Sequence, residues 1–202
     1  MNRYIEEQIL FTYGKKFEDM TEEEKAQITE LTLFAENFRG EPTDIKISDL
    51  DVFPNIQKCL IKDFKLTDDD LRFLASRQSL RGVQFSNCDL GKTTSLNSGL
   101  ELIILDGCTN VPKQFLKGNA ALRIVRVVNQ TYFDVTSLAE SLLLEKAYFQ
   151  NTVIVNLMAL RKLGSLKLVN LDGSKFNFLA LPRLKELVEV EYQKDSHPDL
   201  SR

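Results

Sequence analysis

The sequence predicts an α/β solenoid of about eight irregular repeats, with a parallel β-sheet on one side and short helices or irregular turns on the other. Two observations predict it. One apolar frame recurs over about 165 residues: apolar, two variable, apolar, one variable, apolar, two variable, then a small polar residue or Cys. The 202 residues are 43% hydrophobic and 27% charged. That is an ordinary composition for a folded chain, and no run reaches the roughly 18 apolar residues of a membrane span. A prior of roughly 150 residues per domain favours one domain.

Residues 1–25 read as a helical N-terminal cap, because the first unit of a stack exposes its core and needs a cover. Ile5, Ile9 and Leu10 stand among Glu6, Glu7 and Gln8 in an amphipathic pattern,. Thr21 with Glu24 forms a capping box that opens a second short helix,. Residues 26–192 form the solenoid. Its clear copies are Ile56-x-x-Cys59-x-Ile61, Leu80-x-x-Val83-x-Phe85-x-x-Cys88, Leu100-x-x-Ile103-x-Leu105-x-x-Cys108, Leu122-x-x-Val125-x-Val127, Leu144-x-x-Ala147-x-Phe149-x-x-Thr152 and Leu163-x-x-Leu166-x-Leu168-x-x-Leu171. Weaker copies begin at Ile28 and Leu184. Successive starts lie 28, 24, 20, 22, 22, 19 and 21 residues apart. The inner apolar-x-apolar pair has the period of a strand that turns one side into a core. One repeat cannot bury that side alone, so neighbours must stack.

Between strands the chain returns along the far side. Thr67 and Asp68–Asp70 followed by Leu71, Phe73 and Leu74 predict a capped helix,. Val135–Ala139 with Leu142 predicts a second short helix. The links at 91–99 and 171–180 are poor helix formers, expected to be irregular or 3₁₀. Leu187–Tyr192 alternates like an edge strand, and its glutamates discourage pairing with another chain,. Residues 193–202, with Pro198, read as a frayed polar tail.

Six well-formed copies in one register resemble the leucine-rich-repeat family. Leu66–Leu71 together with Cys88 looks like the Cys-containing class of these repeats. The run from Ile5 through Gly14-Lys15 and Met20-Thr21-Glu22 to Leu31 is similar to the helical N-cap of internalin-like bacterial repeat proteins. The resemblance implies a horseshoe with the sheet on its concave side, and a non-catalytic protein-binding role. It also implies that Cys88, Cys108 and Thr152 close the turn after each strand, where the family places Asn or Cys, so that these thiols are buried and inert. Phe64, Gln130 and Leu171 fall in the same column, so the turn ladder is expected to be imperfect.

Composition excludes several classes of function. A net charge of −3 and a pI of about 5.4 give nucleic acid or an anionic membrane little to bind,. Three Cys and one His argue against a disulfide framework and an all-Cys/His zinc site,. No catalytic residue, cofactor or metal is assigned. Met1-Asn2-Arg3-Tyr4 with Glu6 and Glu7 carries no secretory apolar region, so a cytoplasmic setting with free thiols is expected,. Gly91-Lys92-Thr93 resembles the end of a phosphate-binding loop, but Ser86 stands where that motif needs Gly, and a solvent-facing loop is expected,. Asp68–Asp70 is explained by helix capping rather than metal binding. His197 reads as a solvated tail residue and Cys59 as core. Asn129-Gln130-Thr131 is a formal glycosylation acceptor without a secretion signal to give it meaning.

The third, fifth and seventh positions of each frame point away from the core. In repeats four to six they present Leu102, Ile104, Asp106, Ile124, Arg126, Val128, Lys146 and Tyr148, with Gln150 completing the set. In the last two repeats the same reading gives Ser165, Lys167 and Val169, then Glu186, Val188 and Val190. An apolar centre with an aromatic, an Arg and a charged rim is the composition of a binding hot spot. The predicted partner-binding site is therefore those eight residues, for a protein partner and a chain that is a monomer or, alternatively, a homodimer. Strand-face Ile and Val also raise β propensity without any partner, and a one-residue register error would bury them. Burying about 400 Å² of this patch gives about 10 kcal/mol gross, against association costs of about 4–15 kcal/mol. The patch alone supports weak binding, and a tight partner also uses the rim. Two alternatives remain open: a substrate-recognition subunit of an enzyme, whose mixed-charge cluster would be Asp106, Arg126 and Lys146, and a homo-oligomeric scaffold.

Overall fold

The computed structural model describes residues 2–36, 43, 45–91, 93–96, 99–185 and 188–192. The expectations for Lys92, Glu186, Leu187, His197, Pro198 and the rest of 193–202 lie outside the described residues. The strands are β1 (Glu30–Phe34), β2 (Lys58–Lys62), β3 (Gly82–Ser86), β4 (Leu102–Asp106), β5 (Ile124–Val128), β6 (Phe133–Asp134), β7 (Lys146–Gln150), β8 (Ile154–Val155), β9 (Leu168–Asn170) and β10 (Glu189–Glu191). Among the described residues, eight of them form one sheet in the order β1-β2-β3-β4-β5-β7-β9-β10, and β6 pairs with β8. Every pairing is parallel, as it must be when each strand is followed by a return along the opposite side.

The core is built in layers across the sheet. Leu31, Cys59, Val83, Ile103, Val125, Ala147 and Val169 pair in one row, and Leu33, Ile61, Phe85, Leu105, Val127 and Phe149 in the next. All are buried. Burial alone pushes the Cys59 thiol up to about 12. The bond to the Cys88 thiol, and then burial, push Cys108 above the ordinary thiol range. All three thiols are free and buried, and neither Cys59 nor Cys108 is an available nucleophile.

The last two repeats correct the sequence frame. Starting at Leu163 would turn Leu168 inward and Val169 outward. Instead Leu168 pairs with Lys146 on the open side, while Val169 pairs with Ala147 and is fully buried. The repeat therefore starts three residues later and reads Leu166-x-x-Val169-x-Leu171-x-x-Ser174-x-Phe176. Ser165 and Lys167 precede this strand rather than stand on its face. Leu163 is spent on the preceding turn, where its N–H reaches the Leu160 carbonyl at 3.0 Å. β10 follows the shift: Val190 pairs with Val169 on the core side, and Val188 precedes the strand.

A left-handed residue follows six of the eight strands of the main sheet. Asp63, Asn87, Gly107, Asn129, Asn151 and Gly173 hold φ between 50° and 67°, a region that Gly, Asn and Asp tolerate best. The amide of each of the first five donates to a carbonyl of the next repeat at 2.8–3.1 Å. The following position is the turn column. Cys88 Sγ donates to the Ile61 carbonyl (3.3 Å), Cys108 Sγ to Phe85 (3.4 Å), Thr152 Oγ1 to Val127 (3.3 Å) and Ser174 Oγ to Phe149 (2.9 Å). Leu171 does not belong to this column; it is core, and Ser174 takes the place. Gln130 is buried and turns its amide to the Val128 carbonyl, and Phe64 is half-buried against the core. These two are the ladder's real departures.

The far side carries α3 (Asp68–Ser76) and 3₁₀ turns at Ile47–Val52, Val135–Leu138, Leu157–Lys162 and Phe178–Ala180, the last running into a short helix, Leu181–Lys185. Thr67 and Asp70 form the capping box of α3. Segments as short as Val135–Leu138 close 3₁₀ rather than α turns. Arg77 ties this layer together, donating to the Leu50 and Phe53 carbonyls at 3.2 and 2.7 Å. No helix forms among the described residues of 91–99. Thr93 there is buried with its hydroxyl on the Leu90 carbonyl at 2.6 Å, so the loop is not wholly solvent-facing as expected.

At the N-terminus, α1 (Arg3–Tyr13) buries Ile5 and Ile9 and ends at Gly14 in the left-handed region, and α2 (Glu22–Ala26) has the Thr21–Glu24 capping box. Leu10 was expected on the apolar face but is 44% exposed, because it lies one position, about 100° on a helix of 3.6 residues per turn, beyond Ile9. Gln8 closes the edge of the sheet: its side chain donates to the Thr32 carbonyl and accepts from the Thr32 amide, both at 2.9 Å.

Candidate functional site

The eight predicted residues all fall on the open face, on β4, β5 and β7. Parallel register arranges them with Gln150 in a three-by-three grid. Leu102, Ile124 and Lys146 make one row, Ile104, Arg126 and Tyr148 the second, and Asp106, Val128 and Gln150 the third. Neighbours along a row are about 4.8 Å apart. None is fully buried: Arg126 and Lys146 are exposed and the rest half-buried. The Arg126 guanidinium lies 5.1 Å from the Tyr148 ring centroid, a cation–π contact that holds both over the middle row. Asp106 accepts a hydrogen bond from Asn129 Nδ2 at 2.9 Å, which fixes it at the turn edge of the grid.

The sheet register separates the mixed-charge cluster. Asp106 and Lys146 stand two strands and four residues apart, about 16 Å between Cα atoms. With Arg126 on Tyr148, the three do not converge on one reacting atom. Among the described residues, no three His, Cys, Asp or Glu side chains come together as a metal site. No described helix is long and apolar enough to cross a membrane.

The architecture as a whole has a counterpart among solved structures. The chain is similar to the crystal structure of an internalin C2 from Listeria monocytogenes, with a TM-score of 0.63 over 99% of this chain and 87% of that one. This is a leucine-rich-repeat fold. At 20% sequence identity the likeness is one of architecture. No protein-family model and no curated protein matches the sequence.

In leucine-rich-repeat terms the grid lies on the concave side, and a second feature joins it there. Helix α1 and the concave face of β1–β4 enclose a cleft of about 1050 Å³, with Tyr4, Gln8 and Phe11 on its wall and Leu60 and Ile104 on its floor. Phe11 is 92% exposed. Leu102 and Ile104 line the cleft and also belong to the grid, so the two are continuous. Sequence reasoning missed the cleft, although one signal was present. Phe11 stands about 200° from Ile9 around the helix, an aromatic residue on what should be the polar face.

A second ladder escaped notice as well. In the five repeats that start at Leu80, Leu100, Leu122, Leu144 and Leu166, the position just after the first residue carries Arg81, Glu101, Arg123, Glu145 and Lys167, alternating in sign along the strand N-termini. Arg123 and Lys167 clasp Glu145 at 2.6 and 3.1 Å, and Arg81 meets Glu101 at 3.6 Å. The Lys167 hydrogen bond and charge, with Arg123 beyond them, hold the Glu145 carboxyl below the ordinary carboxylate range. This ladder lies beside the grid and leaves Arg126 and Lys146 unneutralised by it.

Proposed function

We propose that the protein is a non-catalytic interaction module that binds a protein partner through the concave grid of Leu102, Ile104, Asp106, Ile124, Arg126, Val128, Lys146 and Tyr148. One observation carries the reading. Five apolar or aromatic side chains occupy outward positions that packing does not require to be apolar, and they share one continuous surface with an Arg and a Lys. Aromatic and Arg anchors inside an apolar field are what concentrate binding energy at interfaces. The dispersal of Asp106, Arg126 and Lys146 weighs against the enzyme alternative. Three free, buried thiols suit a reducing, cytoplasmic setting,.

The test is affinity capture with the full chain beside Ile104→Asp and Tyr148→Ala. Both side chains point away from the core, so the variants should keep the wild-type thermal transition and lose the partner. If both retain the same captured proteins, the grid is not the binding site. Sedimentation of the free chain across concentration separates a heterologous partner from self-association.

A further inference from the structure

We infer that the partner element held by this face is an amphipathic α-helix of about sixteen residues, basic at one end and acidic at the other, lying across the strands from α1 to β7; the inference rests on the interaction role proposed above. Continuity gives the path. The cleft beside Phe11 and the grid ending at Tyr148 share Leu102 and Ile104, so one surface joins them, with Leu60 on β2 and the apolar grid on β4, β5 and β7 separated by the small and polar Gly82, Gln84 and Ser86 of β3. From β1 to β7 there are five strand spacings of about 4.8 Å, a span of about 24 Å. At 1.5 Å per residue that is about sixteen residues of helix.

The backbone argument selects a helix over an extended segment. Strand addition is blocked at the β1 edge, because Gln8 already pairs both the N–H and the C=O of Thr32. The face itself offers side chains only. An extended segment lying there would bury backbone groups without partners, whereas a helix satisfies its own.

Charge fixes the two ends. The cleft by α1 is lined by four carboxylates, Glu7, Glu30, Glu36 and Asp63, against two lysines. At the other end, the outward positions of β5 and β7 hold Arg126 and Lys146 and no carboxylate. A partner helix of uniform charge would meet repulsion at one end, and a polarised helix meets it at neither.

The probe is a fluorescein-labelled sixteen-residue peptide with leucines at helical i, i+3, i+4 spacing, lysines in one terminal turn and glutamates in the other. One control has the same composition in an order that destroys the apolar stripe; a second carries lysines at both ends. Fluorescence anisotropy with the full chain at low salt should show the polarised peptide binding about tenfold tighter than either control, a gap of about 1.4 kcal/mol. Phe11→Ser should weaken it about fivefold with an unchanged melting temperature, and Lys146→Glu should erase its advantage over the double-lysine control. Equal or undetectable binding of all three peptides overturns the inference. So does full binding by Phe11→Ser when Ile104→Asp abolishes it, an outcome that leaves the grid reading standing. Partner capture unaffected by Ile104→Asp and Tyr148→Ala removes the grid reading itself.

Discussion

Replacing Ser174 with alanine removes one oxygen atom and strands two backbone groups. The hydroxyl donates to the Phe149 carbonyl at 2.9 Å and accepts from the Thr152 amide at 3.2 Å. Ser174 is fully buried, so water cannot replace it. Each buried group left unpaired costs about 1–3 kcal/mol, and shared relaxation of the turn brings the pair to about 2–4 kcal/mol. In a chain of this length that lowers Tm by roughly 4–16 °C. Urea unfolding followed by circular dichroism measures the loss. Because stacked repeats depend on nearest neighbours, hydrogen exchange at Thr152 should accelerate first. Ser174→Cys should recover much of the loss, since Cys88 and Cys108 do the same work at the same position. A loss under about 0.5 kcal/mol, the size of an ordinary surface change, would refute the turn column and with it the three-residue shift of the last repeats. A Cys variant no better than Ala would refute the equivalence of thiol and hydroxyl.

Other outcomes follow from the same geometry. Val169→Asp should cost several kcal/mol by burying a carboxylate, and Leu168→Asp less than about 1.5 kcal/mol; equal losses in a denaturant titration would return the frame to Leu163. Arg77→Ala should cost about 1.5–3 kcal/mol through its lost carbonyl partners, with Arg77→Lys recovering only part because one ammonium cannot serve both carbonyls, which Nη2 holds, and also Asp51, which Nη1 holds at 2.9 Å,, read from the urea midpoint. Glu145 titrates below its ordinary value of 4.5 in the folded chain. Its stabilising contribution is therefore present above that value and lost as pH falls through the depressed one. Glu145→Gln should lower Tm near pH 7 and flatten its fall below pH 4.5, so that the two proteins converge in acid, and 1 M salt should shrink the difference near pH 7.

The repeat was legible because its core positions obey a strict spacing. Cys59, Val83, Ile103, Val125 and Ala147 each fall where the frame put them. The frame failed where leucines were too plentiful. Leu163, Leu166, Leu168 and Leu171 satisfy it as well as Leu166, Val169 and Leu171 do, and hydrophobicity alone cannot choose between registers three residues apart. The polar positions decide. Asn151 and Gly173 stand one repeat apart in the left-handed slot, and Thr152 and Ser174 in the turn slot, so the 22-residue spacing continues only from Leu166. The grid was legible because it lies in repeats four to six, where the frame was right. The cleft was not, since it depends on where α1 docks. Docking is set by Gln8 reaching Thr32, a contact 24 residues apart that no local pattern announces.

Whether the apolar grid exists for the fold or for a partner can be judged from the adjacent strand. β3 and β4 are both five residues long and pair residue for residue. β3 carries Gly82, Gln84 and Ser86 outward, and β4 carries Leu102, Ile104 and Asp106. The β3 set includes Gly, a poor strand former, yet it forms the same ladder with the same buried partners, Val83 beside Ile103 and Phe85 beside Leu105. The inward columns, the left-handed turn and the turn column are thus sufficient to make a strand here, and β propensity is not the reason for isoleucine at 104. What Leu102, Ile104, Ile124 and Val128 add is apolar area facing solvent, a liability in a free chain that becomes an advantage when another surface covers it.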